Sequence, residues 1–137
     1  MKDLPLSEAT AQRIQLALIG RASFNSFDGP RVVAGLEKHQ ELWLATCMDR
    51  IGLHWRDEPE CLPSGSLIKL RDLHHNHWNV DTLFILTENP YNARKLARIA
   101  VDDHWHADDI TVHTTDETRD ALGMGLCNYG LLSLWWD

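Results

Sequence analysis

The strongest constraint on the fold is a short apolar run in the second half of the chain. Residues 80–87 (VDTLFILT) are rich in apolar and β-branched side chains, which is the pattern of a strand covered on both faces. Asn89 and Pro90 then form a helix start. The side chains that share one side of this helix are Ala93, Leu96, Ala97 and Ala100. The run therefore predicts a buried strand followed directly by an amphipathic helix.

The same alternation continues to the end of the chain. Residues 110–113 (ITVH) predict a second strand. Thr114 and Glu117 have the spacing of a capping box, which starts a short helix that Gly123 closes. Residues 131–136 (LLSLWW) predict a last strand. Alternating strands and helices favour a parallel sheet with right-handed crossover connections.

Helical patterns dominate the first half of the chain. Residues 7–19 predict a helix that ends at Gly20. A second helical pattern begins near Asp28 and reaches Cys47, although Gly35 weakens its middle. These segments supply the helices that cover the sheet.

We therefore predict a single α/β domain over residues 1–137, a length that suits one domain. Its sheet is small, mixed and mainly parallel, with β-α-β-α-β over residues 80–137 and one or more extra strands near residues 66–72. Residues 1–52 form a helical part, in which two or three helices pack on the sheet. Residues 66–137 form the part that contains the sheet.

The charge balance restricts the classes of partner. The chain has 13 Lys and Arg against 20 Asp and Glu, so its formal charge is −7 with histidine neutral. Binding to nucleic acid through phosphate contacts needs a surplus of basic side chains, and so does binding to an anionic membrane surface. We therefore expect neither nucleic acid nor a membrane as partner, and acidic charge steers the chain towards a basic partner.

Processing signals and cysteine usage point to one compartment. The chain shows no secretory signal pattern and no run of 18 apolar residues. Its 3 cysteines are odd in number and far apart, which fits neither a disulfide framework nor a C-x-x-C motif. The sequence thus predicts a cytoplasmic protein with reduced thiols.

Common catalytic and nucleotide-binding motifs are missing from the sequence. It contains no G-x-G-x-x-G, no G-x-x-x-x-G-K-[ST] and no G-x-S-x-G, so no nucleotide cofactor is expected. In a parallel sheet, ligands bind beyond the carboxyl ends of the strands, where His113 and Tyr91 would lie. His113 has the ordinary pKa of a general acid or base, so these two residues are the catalytic candidates. The alternative is that His113 ends a strand and bonds locally, and whether the chain is an enzyme stays open.

Histidines form the densest group of reactive side chains. They lie in residues 74–78 (HHNHW) and residues 104–109 (HWHADD), beside several aspartates. Imidazoles and carboxylates bind divalent transition metals such as zinc or nickel. If the two strands that follow these segments are parallel, both segments leave the sheet at the same edge. The pattern then predicts a metal site made of His75, His77, His104 and His106; the alternative is solvated loops.

Two classes of function follow from these observations. The first is a small acidic, non-catalytic module that binds another protein or itself, as an inhibitor, an immunity-type factor or an interaction domain. It rests on the charge, on the missing motifs and on aromatic residues in loops, which are frequent at interfaces: Trp55, Trp78 and Trp105. The second is a metal-binding protein or metal-dependent enzyme that uses the two H-x-H segments.

Overall fold

The computed structural model describes residues 5–24, 26–49, 70–78 and 80–137. The helices in these ranges are α1 (Ala11–Arg21), α2 (Gly29–Lys38), α3 (Leu70–His74), α4 (Pro90–Asp102) and α5 (Thr115–Leu122), with 3-10 turns at Leu6–Glu8 and Gln40–Leu42. The strands are β1 (Ser23–Phe24), β2 (Phe27–Asp28), β3 (Ala45–Cys47), β4 (Thr82–Thr87), β5 (Asp109–Val112) and β6 (Gly130–Trp135). None of the helices in this part of the chain is long and apolar enough to span a bilayer.

Helix ends follow local sequence signals. Asn89 caps α4 and Asp28 caps α2, each with proline in the first turn. Thr114 and Glu117 form the predicted capping box of α5, and Gly123 ends that helix in the left-handed conformation. Both ends predicted for the first helix are wrong, because α1 begins at Ala11 after the Thr10 cap and continues through Gly20 to Arg21.

The main sheet is antiparallel throughout, with the strand order β3-β4-β6-β5. The prediction of a mainly parallel sheet is therefore wrong. β4 and β5 do run in the same direction, but β6 lies between them and pairs antiparallel with both. This order buries Gly130 to Leu134 of β6 and satisfies its backbone on both sides, whereas a parallel order would leave this apolar strand at an open edge.

The fourth described strand of the main sheet is one that the sequence analysis did not predict. The strand predicted near residues 66–72 falls partly outside the described residues, which leave out 66–69, and residues 70–72 belong to α3 rather than to a strand. Instead β3 pairs with β4, within the segment whose helical spacing suggested a helix up to Cys47. The Gln12 side chain donates to the Thr46 carbonyl (2.8 Å) and accepts from the Thr46 N–H (2.9 Å), so it occupies the outer side of β3. Long-range hydrogen bonds thus override the local periodicity.

One face of the sheet carries the hydrophobic core. The register of β4 and β6 places Leu83 opposite Leu134 and Ile85 opposite Leu132, and all four are fully buried. Helices α1, α2 and α4 cover this face. They contribute the buried side chains Leu16, Ile19, Val32, Leu36, Ala93 and Leu96.

Two tryptophans join the helices to the sheet inside this core. The Trp105 ring lies against Gly35 of α2, and only 1% of the residue is exposed. Trp136 donates its indole N–H to the Trp105 carbonyl (2.9 Å). Trp78 is also buried and donates to the Met48 carbonyl (2.9 Å). The interpretation of Trp78 and Trp105 as exposed loop aromatics is therefore wrong, and Trp55 lies outside the described residues.

Gly35 and Gly20 make a matched test of this packing. A Cβ added at Gly35 would lie 2.7 Å from the Trp105 ring, whereas one at Gly20 would meet no closer atom than Val33 Cγ2 at 3.7 Å. We expect Gly35→Ala to lower the free energy of unfolding by about 1–3 kcal/mol through overpacking. We expect Gly20→Ala to raise it by about 0.5–1 kcal/mol through helix propensity. Urea unfolding measures both; equal stabilisation by the two substitutions would contradict the described contact.

Candidate functional site

A buried polar cluster lies on the sheet face opposite the core. His113 follows β5, and its Nε2 is 2.5 Å from Ser133 Oγ in the middle of β6. Its Nδ1 is 3.5 Å from Glu117 Oε1 on the first turn of α5. Serine, histidine and a carboxylate in this order have the connectivity of a hydrolase triad.

The start of α5 positions the carboxylate of this cluster. Glu117 Oε1 accepts a hydrogen bond from the Thr114 N–H (2.9 Å), and the Glu117 N–H donates to Thr114 Oγ1 (3.2 Å). Because Thr114 directly follows His113, the capping box also sets where the chain leaves β5. The S/T-x-x-E pattern predicts the start of α5. It therefore also identifies Glu117, the carboxylate that lies beside His113.

The surroundings of His113 and Glu117 shift the pKa values of both side chains. Loss of hydration lowers the pKa of His113, although the nearby carboxylates of Glu117 and Asp109 act to raise it. The pKa of Glu117 is lowered, first by the hydrogen bond from the Thr114 backbone and then by His113. Burial thus favours a neutral imidazole beside an ionised carboxylate.

Access decides what this cluster can do in the described conformation. The side chain of His113 is 1% exposed, and Ser133 is 2% exposed. A nucleophilic serine must contact its substrate, and Ser133 has almost no exposed surface in this conformation. The hydrogen bond of His113 with Ser133 joins the end of β5 to β6, and its contact with Glu117 joins it to α5, while the catalytic role of His113 stays a prediction.

Tyr91 lies apart from His113. It is 58% exposed on the first turn of α4, and Lys95 Nζ stands 5.0 Å from the centre of its ring. Since β4 and β5 run in the same direction, Tyr91 and His113 do follow the same edge of the sheet. Helix α4, however, covers the core face, and the His113 ring faces the other side. The structure therefore does not unite the two catalytic candidates.

The four histidines predicted to bind metal are all exposed. His104 and His106 both have positive φ, 56° and 59°, and their rings stack with centroids 5.9 Å apart. His75 and His77 follow α3. Within residues 5–24, 26–49, 70–78 and 80–137, no group of three or more His, Cys, Asp or Glu side chains is placed to hold a metal ion. The zinc or nickel site stays a prediction, and the described residues do not bring its ligands together.

A groove lies between helix α4 and strand β5. Its volume is about 520 Å³, and it is lined by Arg94, Ala97, Arg98, Val101, Asp102 and Ile110. The five lining residues of α4 are spaced so that they form one stripe along the helix. Val101 is 62% exposed, which is unusual for a valine beside a packed sheet. Sequence reasoning missed this groove, and the signal that could have indicated it is the basic pair Arg94 and Arg98 beside the apolar side of the helix.

Strand β5 forms an edge of the sheet beside this groove. Among the described strands it pairs only with β6, with Ile110 opposite Leu134 and Val112 opposite Leu132. The His113 N–H donates to the Leu131 carbonyl (2.9 Å), and the bonds of an antiparallel ladder fall on alternate residues. The N–H and C=O groups of Ile110 and Val112 therefore point away from β6.

Comparisons of the chain with protein-family models, with curated protein sequences and with solved structures found no match. Evidence for function therefore comes from the chemistry of its own surfaces. The buried cluster is closed, the histidines are dispersed, and the groove beside β5 combines charge, apolar surface and backbone groups that face outwards.

The buried state of His113 makes the stability depend on pH. A histidine whose pKa is lower in the folded chain binds fewer protons there, so the free energy of unfolding falls as the pH drops below the ordinary value of 6.5. We expect His113→Gln to reduce this fall, because glutamine keeps a polar side chain without titrating. The matched control is His104→Gln, which changes an exposed histidine. Urea unfolding between roughly pH 7 and pH 5 measures the effect; an unchanged pH slope in His113→Gln would contradict it.

Proposed function

We propose that this protein is a non-catalytic interaction module that binds an extended segment of another polypeptide along β5. The observation that carries the proposal is the edge strand beside the groove. An added strand would pair with the outward N–H and C=O groups of Ile110 and Val112, which is the mode known as β-augmentation. An inhibitor or an immunity-type factor belongs to this class of function.

The apolar part of the groove supports binding of side chains as well as backbone. Ala97, Val101 and Ile110 provide its apolar lining. Alternate side chains of an extended strand point to the same face, so every second residue of a bound segment would lie over this surface. Covering the exposed Val101 removes apolar surface from water, at about 25 cal/mol per Å².

The charges of the groove define the chemistry of the bound segment. Among the described residues, no carboxylate lies within ion-pair distance of Arg94 or Arg98. Asp102 stands at the other end of the stripe. A bound segment complements this pattern if it carries carboxylates beside the two arginines and no carboxylate beside Asp102.

Peptide selection tests the proposal without knowledge of the natural partner. The probe is a displayed library of random dodecapeptides, selected against the immobilised protein. We expect enriched peptides to contain β-branched residues and carboxylates, and to lose at least about tenfold in affinity on the double substitution Arg94→Glu and Arg98→Glu, an effect of about 1.4 kcal/mol. Fluorescence anisotropy with the enriched peptides measures the affinity.

A proline substitution separates backbone pairing from side-chain contact. Because the Val112 N–H points away from β6, Val112→Pro removes no hydrogen bond of the sheet, and proline is tolerated at such edge positions. We expect Val112→Pro to abolish peptide binding, whereas the control Val112→Ala retains most of it. Circular dichroism checks that both variants fold. Peptides that bind Val112→Pro and the arginine variant as well as the unaltered chain would refute the proposal.

A further inference from the structure

We infer that the segment bound along β5 is the β5 strand of a second copy of this chain, so that the protein forms a symmetric dimer. This inference rests on the proposed function and identifies its partner. A twofold axis brings the same surface of each copy to the interface, so the surface must complement itself. Both the backbone and the charges of the groove meet this requirement.

The backbone allows a register in which every outward group of β5 is used. In an antiparallel pair centred on Thr111, Ile110 lies opposite Val112 of the second copy, and Val112 lies opposite its Ile110. The outward N–H and C=O groups of these residues then form hydrogen-bonded pairs on both sides of the axis. Thr111 meets its own counterpart, a favourable cross-strand pair, and the two four-stranded sheets become one continuous sheet.

Helix α4 carries opposite charges at the two ends of its groove stripe. Arg94 and Arg98 occupy the first part of the stripe, and Asp102 occupies the last. The helix connects two strands of the same direction, so it runs antiparallel to β5, with Asp102 near the beginning of the strand and Arg94 near its end. A twofold axis through Thr111 reverses this order in the second copy. Arg94 of each copy then lies level with Asp102 of the other, while Arg98, midway between them on the helix, lies close to the axis.

Strand spacing places the two helices within reach of each other. Each α4 lies over β6 and β5, and neighbouring strands are about 4.8 Å apart. The two helices are thus separated by two to three strand spacings, about 10–14 Å, which long arginine side chains can bridge. The exposed Val101 of each copy faces this gap, and its partial covering adds to the contact.

The other edge of the sheet is already occupied. Strand β3 has its outer side taken by the Gln12 amide, which bonds both backbone groups of Thr46. Within the described residues, β5 is therefore the edge that is open for pairing, and unprotected edges favour association between copies. A short strand and one helix stripe make a small interface, so the dimer is concentration-dependent.

A charge-swap experiment tests the dimer. The first variant carries Arg94→Glu and Arg98→Glu, and the second carries Asp102→Arg. Each variant alone places like charges across the axis, whereas a mixture of the two places opposite charges at both contacts. Sedimentation velocity measures the mass over micromolar to millimolar protein, starting from a monomer of 15.7 kDa.

We expect the unaltered chain to approach twice the monomer mass as its concentration rises. Each variant alone should dimerise at least about tenfold more weakly, and the equimolar mixture should recover dimerisation to within about threefold of the unaltered chain. Val112→Pro should remain monomeric. If the mixture dimerises, both variants must be folded, so the weak dimerisation of each variant alone cannot be explained by misfolding.

Two outcomes would overturn the inference. The first is an unaltered chain that stays monomeric up to millimolar concentration. The second is a dimer that neither the charge variants nor Val112→Pro weaken. If the chain is monomeric while selected peptides still bind along β5, the dimer is wrong and the proposed function stands. If neither peptides nor a second copy bind there, both fail.

Discussion

The central position of β6 is the constraint on which the rest of the structure depends. This strand pairs with β4 on one side and β5 on the other, and its residues from Gly130 to Leu134 are buried. Its insertion separates β4 from β5 although they run in the same direction. As a result β5 becomes an edge strand, and α4 lies beside it with a groove between them.

Packing of Trp105 fixes the turn that connects this groove to the core. The indole ring lies against Gly35 of α2, and the Trp105 carbonyl accepts a hydrogen bond from Trp136 at the end of β6. His104 and His106, on either side, adopt left-handed conformations and remain exposed. The buried tryptophan thus anchors the turn between α4 and β5 in the core, and the histidines on either side of it face solvent.

The two faces of the sheet at β5 carry different polar features, a largely buried cluster on one face and an open groove on the other. In the polar cluster His113 and Ser133 are buried and Glu117 is partly exposed, and the contacts of His113 join the end of β5 to β6 and α5. The groove on the other face is open and holds arginines with no ion-pair partner among the described residues. The buried histidine and serine therefore anchor the edge strand, and the groove is the surface on which the proposed binding rests.

Local sequence patterns determined the starts of α2, α4 and α5, the apolar side of α4 and the strands β4, β5 and β6, because caps and apolar periodicity act over a few residues. The Thr114–Glu117 box and the run that contains β4 are examples. The tertiary structure alone decided which strands pair, that β3 is a strand, and that Trp105 is buried. Those outcomes depend on hydrogen bonds and contacts between distant segments, such as Gln12 with Thr46. The apolar periodicity of a short segment does not contain this information. The candidate site follows the same division. The spacing of Arg94 and Arg98 on the helix can be read from the sequence, but the edge that β5 forms among the described strands exists only because β6 lies between β4 and β5.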